Sequence, residues 1–245
     1  MMPLTRHGFR EMLIGSLVLV AVAVGLGWSL AWSVSLIVLP VLIWLFSFFR
    51  DPERSIPAEQ HVMVSPADGT VSDITELPHY DLLNGPALRV GIFLSVFNVH
   101  INRSPCDGKV VKVEYKKGKF INAMSHNKAS EENESNTVVL AEPRTDRPIA
   151  VVKQIVGLIA RRIVFDPKVG DALKRGERIG MIKFGSRTEL YVPMALRPEA
   201  KVQVGQPVRG GADIVVVLGE PIHTLEPAKS VGEEFEPLLG RETPA

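Results

Sequence analysis

A single cysteine, Cys106, stands among 245 residues. That excludes an internal disulfide framework and any metal site built from several thiolates, and it suits a reducing compartment. An excess of one charge is missing too. The 28 Lys and Arg against 27 Asp and Glu leave a formal net charge of +1, so nucleic acid is excluded as the main partner, since phosphate binding needs a basic surplus. The third absence is local: from Met12 to Phe49, 38 residues pass without one charged side chain.

As a single helix that stretch would be about 57 Å long, nearly twice a ~30 Å hydrocarbon core. A bent pair of helices fits better. The break is expected at Gly25-Leu26-Gly27-Trp28-Ser29, with Trp28 and Trp32 in an interface belt. The first arm would then hold about 13 residues and the second about 20, the first being short for a crossing, so a shallow re-entrant hairpin is the other geometry. Arg6 and Arg10 precede the segment and Arg50 and Arg54 follow it. Positive charge on both sides puts both ends in the cytoplasm, which an even number of crossings or a monotopic anchor allows. A cleaved signal peptide fits poorly, because the stretch is too long and lacks a small-x-small cleavage site. Residues 1–50 therefore read as hydrophobic membrane-anchoring helices on the cytoplasmic face of the cell membrane.

Residues 51–61, with Asp51-Pro52-Glu53-Arg54-Ser55-Ile56-Pro57, read as a polar, proline-bounded linker. From 62 to 224 the chain is mainly β: short strand-like segments at 62–64, 70–74, 88–94, 110–115, 138–140, 149–155 and 161–165 are separated by glycine and proline turns. Residues 120–136 are polar and read as a loop with a short helix. The acidic tail, 225–245, is expected to be loosely ordered. One internal repeat stands out. Val169-Gly170-x-x-Leu173-x-x-Gly176-x-x-Ile179 recurs at Val204-Gly205-x-x-Val208-x-x-Gly211-x-x-Ile214, 35 residues on. Two similar hairpin corners in a small β-sandwich or hybrid barrel would give this pattern, as in lipoyl- and biotinyl-carrier domains, though the modifiable Met-Lys-Met tip of those carriers is absent.

Three polar stretches could carry chemistry. Asp68 lies in Ser65-Pro66-Ala67-Asp68-Gly69, where Asp-Gly is also ordinary turn chemistry. His100 lies in Asn98-Val99-His100-Ile101-Asn102-Arg103-Ser104-Pro105, where a histidine between apolar neighbours is more often structural. Gly185-Ser186 could be a simple turn. It also offers a backbone carbonyl that glycine can leave strained and open, one residue before a hydroxyl. Asp, His and Ser form the smallest set that activates a hydroxyl, the first orienting the imidazole and the second taking the proton.

Taken together the stretches are far more specific. The chain resembles the phosphatidylserine decarboxylase proenzymes, in their short prokaryotic (type A) form. The likeness runs from Phe49-Arg50-Asp51-Pro52-Glu53-Arg54 through the Asp68 and His100 motifs. It continues through Gly118-Lys119-Phe120-Ile121-Asn122-Ala123, Lys128-Ala129-Ser130-Glu131-Glu132-Asn133-Glu134 and Gly157-Leu158-Ile159-Ala160-Arg161-Arg162-Ile163. It ends in Arg178-Ile179-Gly180-Met181-Ile182-Lys183-Phe184-Gly185-Ser186-Arg187. The resemblance implies a self-processing enzyme. Ser186 Oγ attacks the Gly185 carbonyl, the resulting ester is lost by β-elimination, and a pyruvoyl group is left on residue 186. The products are a large chain, 1–185, and a small chain, 186–245, held as a heterodimer with higher oligomers open. The ketone forms a Schiff base with phosphatidylserine in the membrane and draws off electrons as CO2 leaves, giving phosphatidylethanolamine. Neither PLP nor a metal is implied.

By position, Asp68 and His100 match the family's acid and base for Ser186. The longer forms carry two histidines in His-Arg-x-His-x-Pro, whereas here the second position is Arg103. Two roles suit that arginine: holding the substrate phosphate or carboxylate, or a structural ion pair. Asn133 and Glu134 receive no step, and Phe97 and Met124 read as apolar lining or core packing. Two other readings compete. A membrane-anchored hybrid-barrel adaptor without chemistry would rest on the repeat. A serine hydrolase using Ser186 lacks the Gly-x-Ser-x-Gly elbow.

Overall fold

The computed structural model describes residues 3–30, 32–121, 126–158, 162–183 and 185–219. It opens on apolar helices: α1 (Phe9–Ser29), α2 (Trp32–Ser35) and α3 (Val38–Phe48). The bend comes later than expected. Gly25 and Gly27 stay helical, and α1 starts at Phe9, so the first arm has 21 residues rather than a short stub. Gly27 has a different task. A Cβ there would run into the Trp32 ring, so its missing side chain lets the second arm lie close to the first. Ser35 Oγ donates to the Ala23 carbonyl at 2.8 Å across the same turn. Pro40 sits in the first turn of α3, where its missing N–H removes no helical bond. The Arg6–Ser29 stretch is long and apolar enough to cross a membrane.

The remainder is mainly β. In chain order the elements are β1 (Val62–Val64), β2 (Gly69–Tyr80), β3 (Gly85–Leu94), β4 (Ile101–Arg103) and β5 (Gly108–Lys116). Helix α4 (His126–Glu132) follows, inside the polar loop, and then β6 (Ser135–Ala141), β7 (Pro148–Val156), β8 (Arg162–Phe165), β9 (Ala172–Leu173) and β10 (Arg178–Lys183). The last four are β11 (Ser186–Pro193), β12 (Pro198–Ala200), β13 (Pro207–Val208) and β14 (Ile214–Leu218). An eight-stranded sheet curls as a half-barrel in the order β13-β2-β3-β11-β7-β6-β5-β9. Two three-stranded sheets, β1-β14-β12 and β4-β10-β8, complete the fold. The core lies against one face of the large sheet, around Val90, Ile92, Leu140, Val152, Leu190 and Val192.

The sheet orders read the same from both ends. Exchanging β1 with β4, β2 with β5, β3 with β6, β7 with β11, and β8–β10 with β12–β14 maps every sheet onto itself or its twin. The 35-residue repeat is one part of this pseudo-two-fold relation. Gly170 and Gly205 take φ of 100° and 89°, and Gly176 and Gly211 take 78° and 77°. The rest is a second repeat, Ser65-Pro66-x-Asp68-Gly69 against Ser104-Pro105-x-Asp107-Gly108. The two turns bond each other across the axis, Val64 N–H to the Pro105 carbonyl and Arg103 N–H to the Pro66 carbonyl, both at 2.9 Å. In this relation Gly185-Ser186 is where the chain leaves one half (β4–β10) and returns to finish the other.

Two more expectations meet the structure here. The 51–61 connection carries no strand or helix up to residue 59, yet it is pinned down. Asp51 is buried and pairs with Arg103 at 3.2 Å and Arg178 at 2.7 Å, and Arg54 pairs with Asp68 at 2.7 Å. The tail expected to be loose lies outside the described residues, as do Met124 and Ile159-Ala160-Arg161.

Candidate active site

Strand β11 occupies the middle of the large sheet. Ser186 pairs with Leu94 of β3 on one side and Val156 of β7 on the other. All eight residues of the strand are buried, although Arg187 and Glu189 are charged. Before it, Gly185 has φ +65°, a left-handed backbone that a side chain would strain. Ser186 Oγ is fully buried and has no hydrogen-bond partner among the described residues. A buried hydroxyl without a partner is uncommon and calls for an explanation.

His100 shows the same feature. Its imidazole is buried, Nδ1 lies 2.9 Å from the Asn98 carbonyl, and Nε2 has no partner among the described residues. A ring nitrogen facing a carbonyl must carry the proton, so Nε2 is left with a free lone pair. Phe48 of α3 covers the ring, with centroids 4.3 Å apart. Burial pushes the imidazole's pKa down to about 4; the Asn98 carbonyl opposes this and the Arg50 guanidinium adds to it. At neutral pH the ring is therefore uncharged, the state a base requires. Chain topology brings it near the Gly185 segment: the His100 carbonyl accepts the Ile182 N–H at 3.3 Å, and Ile101 pairs with Met181.

Asp68 is placed differently from a triad member. Oδ1 accepts the Gly210 N–H at 2.8 Å and Oδ2 pairs with Arg54, while the imidazole is oriented by a backbone carbonyl. The pseudo-symmetric Asp107 accepts the Arg175 N–H, also at 2.8 Å, so this cap belongs to the architecture of both halves. Asp68 differs from its twin in being buried and paired with Arg54. Burial raises its carboxyl above the usual range, only partly offset by that arginine. Arg103 forms an ion pair and two backbone contacts with its own chain. One amino group donates to the Gly176 carbonyl at 3.0 Å, and the other to Asp51 and the Pro52 carbonyl at 3.2 and 3.1 Å. Phe97 is 71% exposed, which excludes core packing.

Sequence reading missed a buried polar floor beside Ser186. Asn102 Nδ2 donates to Thr188 Oγ1 at 3.0 Å, and Gln154 Nε2 donates to Asn102 Oδ1 at 2.9 Å. It also gave no task to Asn133, whose amide clamps both the Ile121 backbone and the Val156 carbonyl opposite Ser186. Long-range hydrogen bonds of this kind leave no local pattern. The S-P-x-D-G recurrence at 39 residues is a sequence signal for the paired turns and not for these bonds.

The other face of β11 carries an ion network. Arg187 is fully buried and bonds Glu189, Ser72 and Asp73, while Glu189 also accepts from Tyr191 and Ser130. Burial pushes Asp73 up, but Arg187, Arg89 and Ser72 together outweigh that and leave it below the usual carboxylate range. Arg187→Met should strand the carboxylates and cost about 3–5 kcal/mol. Thermal unfolding would register this as a fall on the order of 10 °C.

The comparisons with known proteins bear on the whole assembly. The family described as phosphatidylserine decarboxylase matches over residues 41–216, which takes in most of α3 and every strand up to the middle of β14. The chain belongs to the phosphatidylserine decarboxylase family. A phosphatidylserine decarboxylase proenzyme of Rhodopirellula baltica is 43% identical over 213 residues, 87% of either chain. That of Carboxydothermus hydrogenoformans is 43% identical over 199 residues, covering 81% of this chain and 91% of its own. A third, from Syntrophus aciditrophicus, is 46% identical over 176 residues, 71% of this chain and 80% of the relative. The family match thus spans the residues of the candidate site and most of the last apolar helix. Among the described residues, no cluster of His, Cys, Asp and Glu could hold a metal ion.

Proposed function

We propose that this decarboxylase is made as a precursor that cuts itself between Gly185 and Ser186 and then converts phosphatidylserine to phosphatidylethanolamine with a pyruvoyl group at residue 186. One observation carries the reading. Ser186 Oγ and His100 Nε2, both among the polar atoms buried without partners within the described residues, are an alcohol and a neutral base, and the residue before the alcohol has the left-handed backbone only glycine takes easily.

The chain's own residues suffice for the cut. Ser186 Oγ gives its proton to His100 Nε2 and attacks the Gly185 carbonyl carbon. The C–N bond then breaks, the proton passes to the departing amine, and an ester joins residues 185 and 186. Loss of the Ser186 α-proton expels the Gly185 carboxylate and leaves a dehydroalanine. Tautomerisation, addition of water and departure of ammonia leave a ketone. No oxidant is consumed. Once present, the pyruvoyl group supplies an electrophilic carbonyl for the substrate amine and a sink for the electrons freed as CO2 departs. The place fits such a group. It heads a central strand laddered on both sides, away from bulk water, with Asn102 and Thr188 at hand for hydrogen bonds.

Helix α1 supplies the location. It presents Leu13, Leu17, Val20 and Val24 outward, each at least half exposed, a surface that suits lipid rather than water. A diacyl substrate stays in the bilayer, so anchoring at the cytoplasmic face brings the site to its head groups. The test is purified protein mixed with phosphatidylserine vesicles labelled in the serine carboxyl. Release of labelled CO2 with matching phosphatidylethanolamine is expected. An uncut chain that releases none would favour the adaptor, and release of serine or fatty acid would favour the hydrolase.

A further inference from the structure

The apolar helices reach the reacting groups from two sides. On one, Phe48 lies on the His100 ring, and Phe49, Val99, Ile101 and Met181 close the same cluster. On the other, Lys183 ends β10, two residues before Gly185. Its Nζ donates to Glu11 Oε1 of α1 at 2.6 Å and to the His7 carbonyl at 2.8 Å, and its side chain is only 6% exposed.

A lysine here is not required by the strand. Ile182, its neighbour, packs with apolar residues, and an apolar side chain at 183 would avoid desolvating an ammonium. What the pair adds is a directional tie between residues 172 positions apart. Removing either partner leaves a charge without compensation, so the end of β10 and the first turns of α1 hold one relative placement.

We propose that Glu11 and Lys183 are positioning residues for self-cleavage: their ion pair fixes the residues before the scissile bond against the anchor, so that the Gly185 carbonyl stands before Ser186 only while α1 is docked. This rests on the self-cleavage reading above. Displacement of an attacked carbon by about 1 Å lowers an intramolecular rate on the order of a hundredfold, so a tie two residues away has leverage on the reaction. It also gives the apolar helices a task beyond attachment: the precursor matures when its anchor has seated.

The experiment follows the appearance of the two fragments on denaturing gels after a pulse of synthesis. It uses the full chain, Glu11→Gln, Lys183→Met and the exchanged pair Glu11→Lys with Lys183→Glu, with Ser186→Ala as the uncut standard. Thermal unfolding is measured on each variant placed in the Ser186→Ala background, so that cleavage does not complicate the comparison. Each single variant should be cut at least about tenfold more slowly, and the exchanged pair should return to within about threefold of the full chain. Cutting of the single variants at the full chain's rate overturns the proposal. So does an exchanged pair that recovers its melting temperature while remaining as slow as the singles. A full chain that never cuts removes the self-cleavage reading and this proposal with it, an outcome distinct from the other two.

Discussion

Ser186→Ala should yield one polypeptide of about 26.9 kDa on a denaturing gel, where the unaltered protein should give fragments 1–185 and 186–245. Decarboxylation by the variant should fall to background, a loss of at least about a thousandfold, because both the nucleophile and the source of the ketone are gone. The fold should survive. Alanine fits the fully buried site without leaving a polar atom unpaired, and the ladders of Ser186 to Leu94 and Val156 are made by backbone. On a native sizing column the cut protein should behave as one particle. β11 is hydrogen-bonded to β3 and β7 of the large chain, and β13 and β14 pair with β2 and β1. Residues 186–219 are thus woven into the segment before residue 185, so fragments that separate on a native column would contradict this topology.

His100→Gln should slow the cut by about 10²–10⁴-fold, the usual range for a removed general base, with precursor accumulating. The pH dependence carries the signature of its surroundings. Because the folded imidazole titrates near 4 instead of 6.5, cleavage should persist through pH 5, and its acid limb should lie well below that of a solvent-exposed histidine. Stability moves in a related way. A histidine whose folded pKa is depressed contributes its full stability above the unfolded value, near pH 6.5, and that contribution is lost as pH falls towards 4. The loss is about 3 kcal/mol at most. Denaturant unfolding of the uncut Ser186→Ala protein at pH 7 and pH 4.5 should therefore show lower stability at the acid pH. His100→Gln in the same background should flatten that difference. An unchanged difference would place the titrating group elsewhere.

Much of this is legible in the order of residues. The strand-like stretch Ile149–Ile155 on β7 and the alternation of β5 announce strands, the second because a pleated surface exposes side chains with a period of two. The 35-residue repeat announces half of the internal symmetry. The positions of Gly185, Ser186 and His100 come from motifs, and the property shared by Ser186 and His100, a buried polar atom without a partner, is visible only once the chain is folded. The bend between α1 and α2 is misplaced in the sequence reading because glycine in a helix looks like a break. Here Gly27 serves the packing of Trp32, a contact between arms that no local propensity encodes. Asp68 reads as the group that orients the imidazole, whereas a carbonyl two residues from the histidine does so, and Asp68 accepts the Gly210 N–H just as Asp107 accepts that of Arg175 in the twin turn. The Lys183–Glu11 pair joins residues 172 positions apart and has no sequence signature at all.

The most direct measurement is the intact mass of the C-terminal fragment from freshly purified, active protein, before and after borohydride. The account predicts a fragment beginning at residue 186 that is lighter by one ammonia than a serine-started peptide and gains two hydrogens on reduction. Active protein in which residues 185 and 186 remain joined, or a fragment that keeps its N-terminal serine and ignores borohydride, would contradict it.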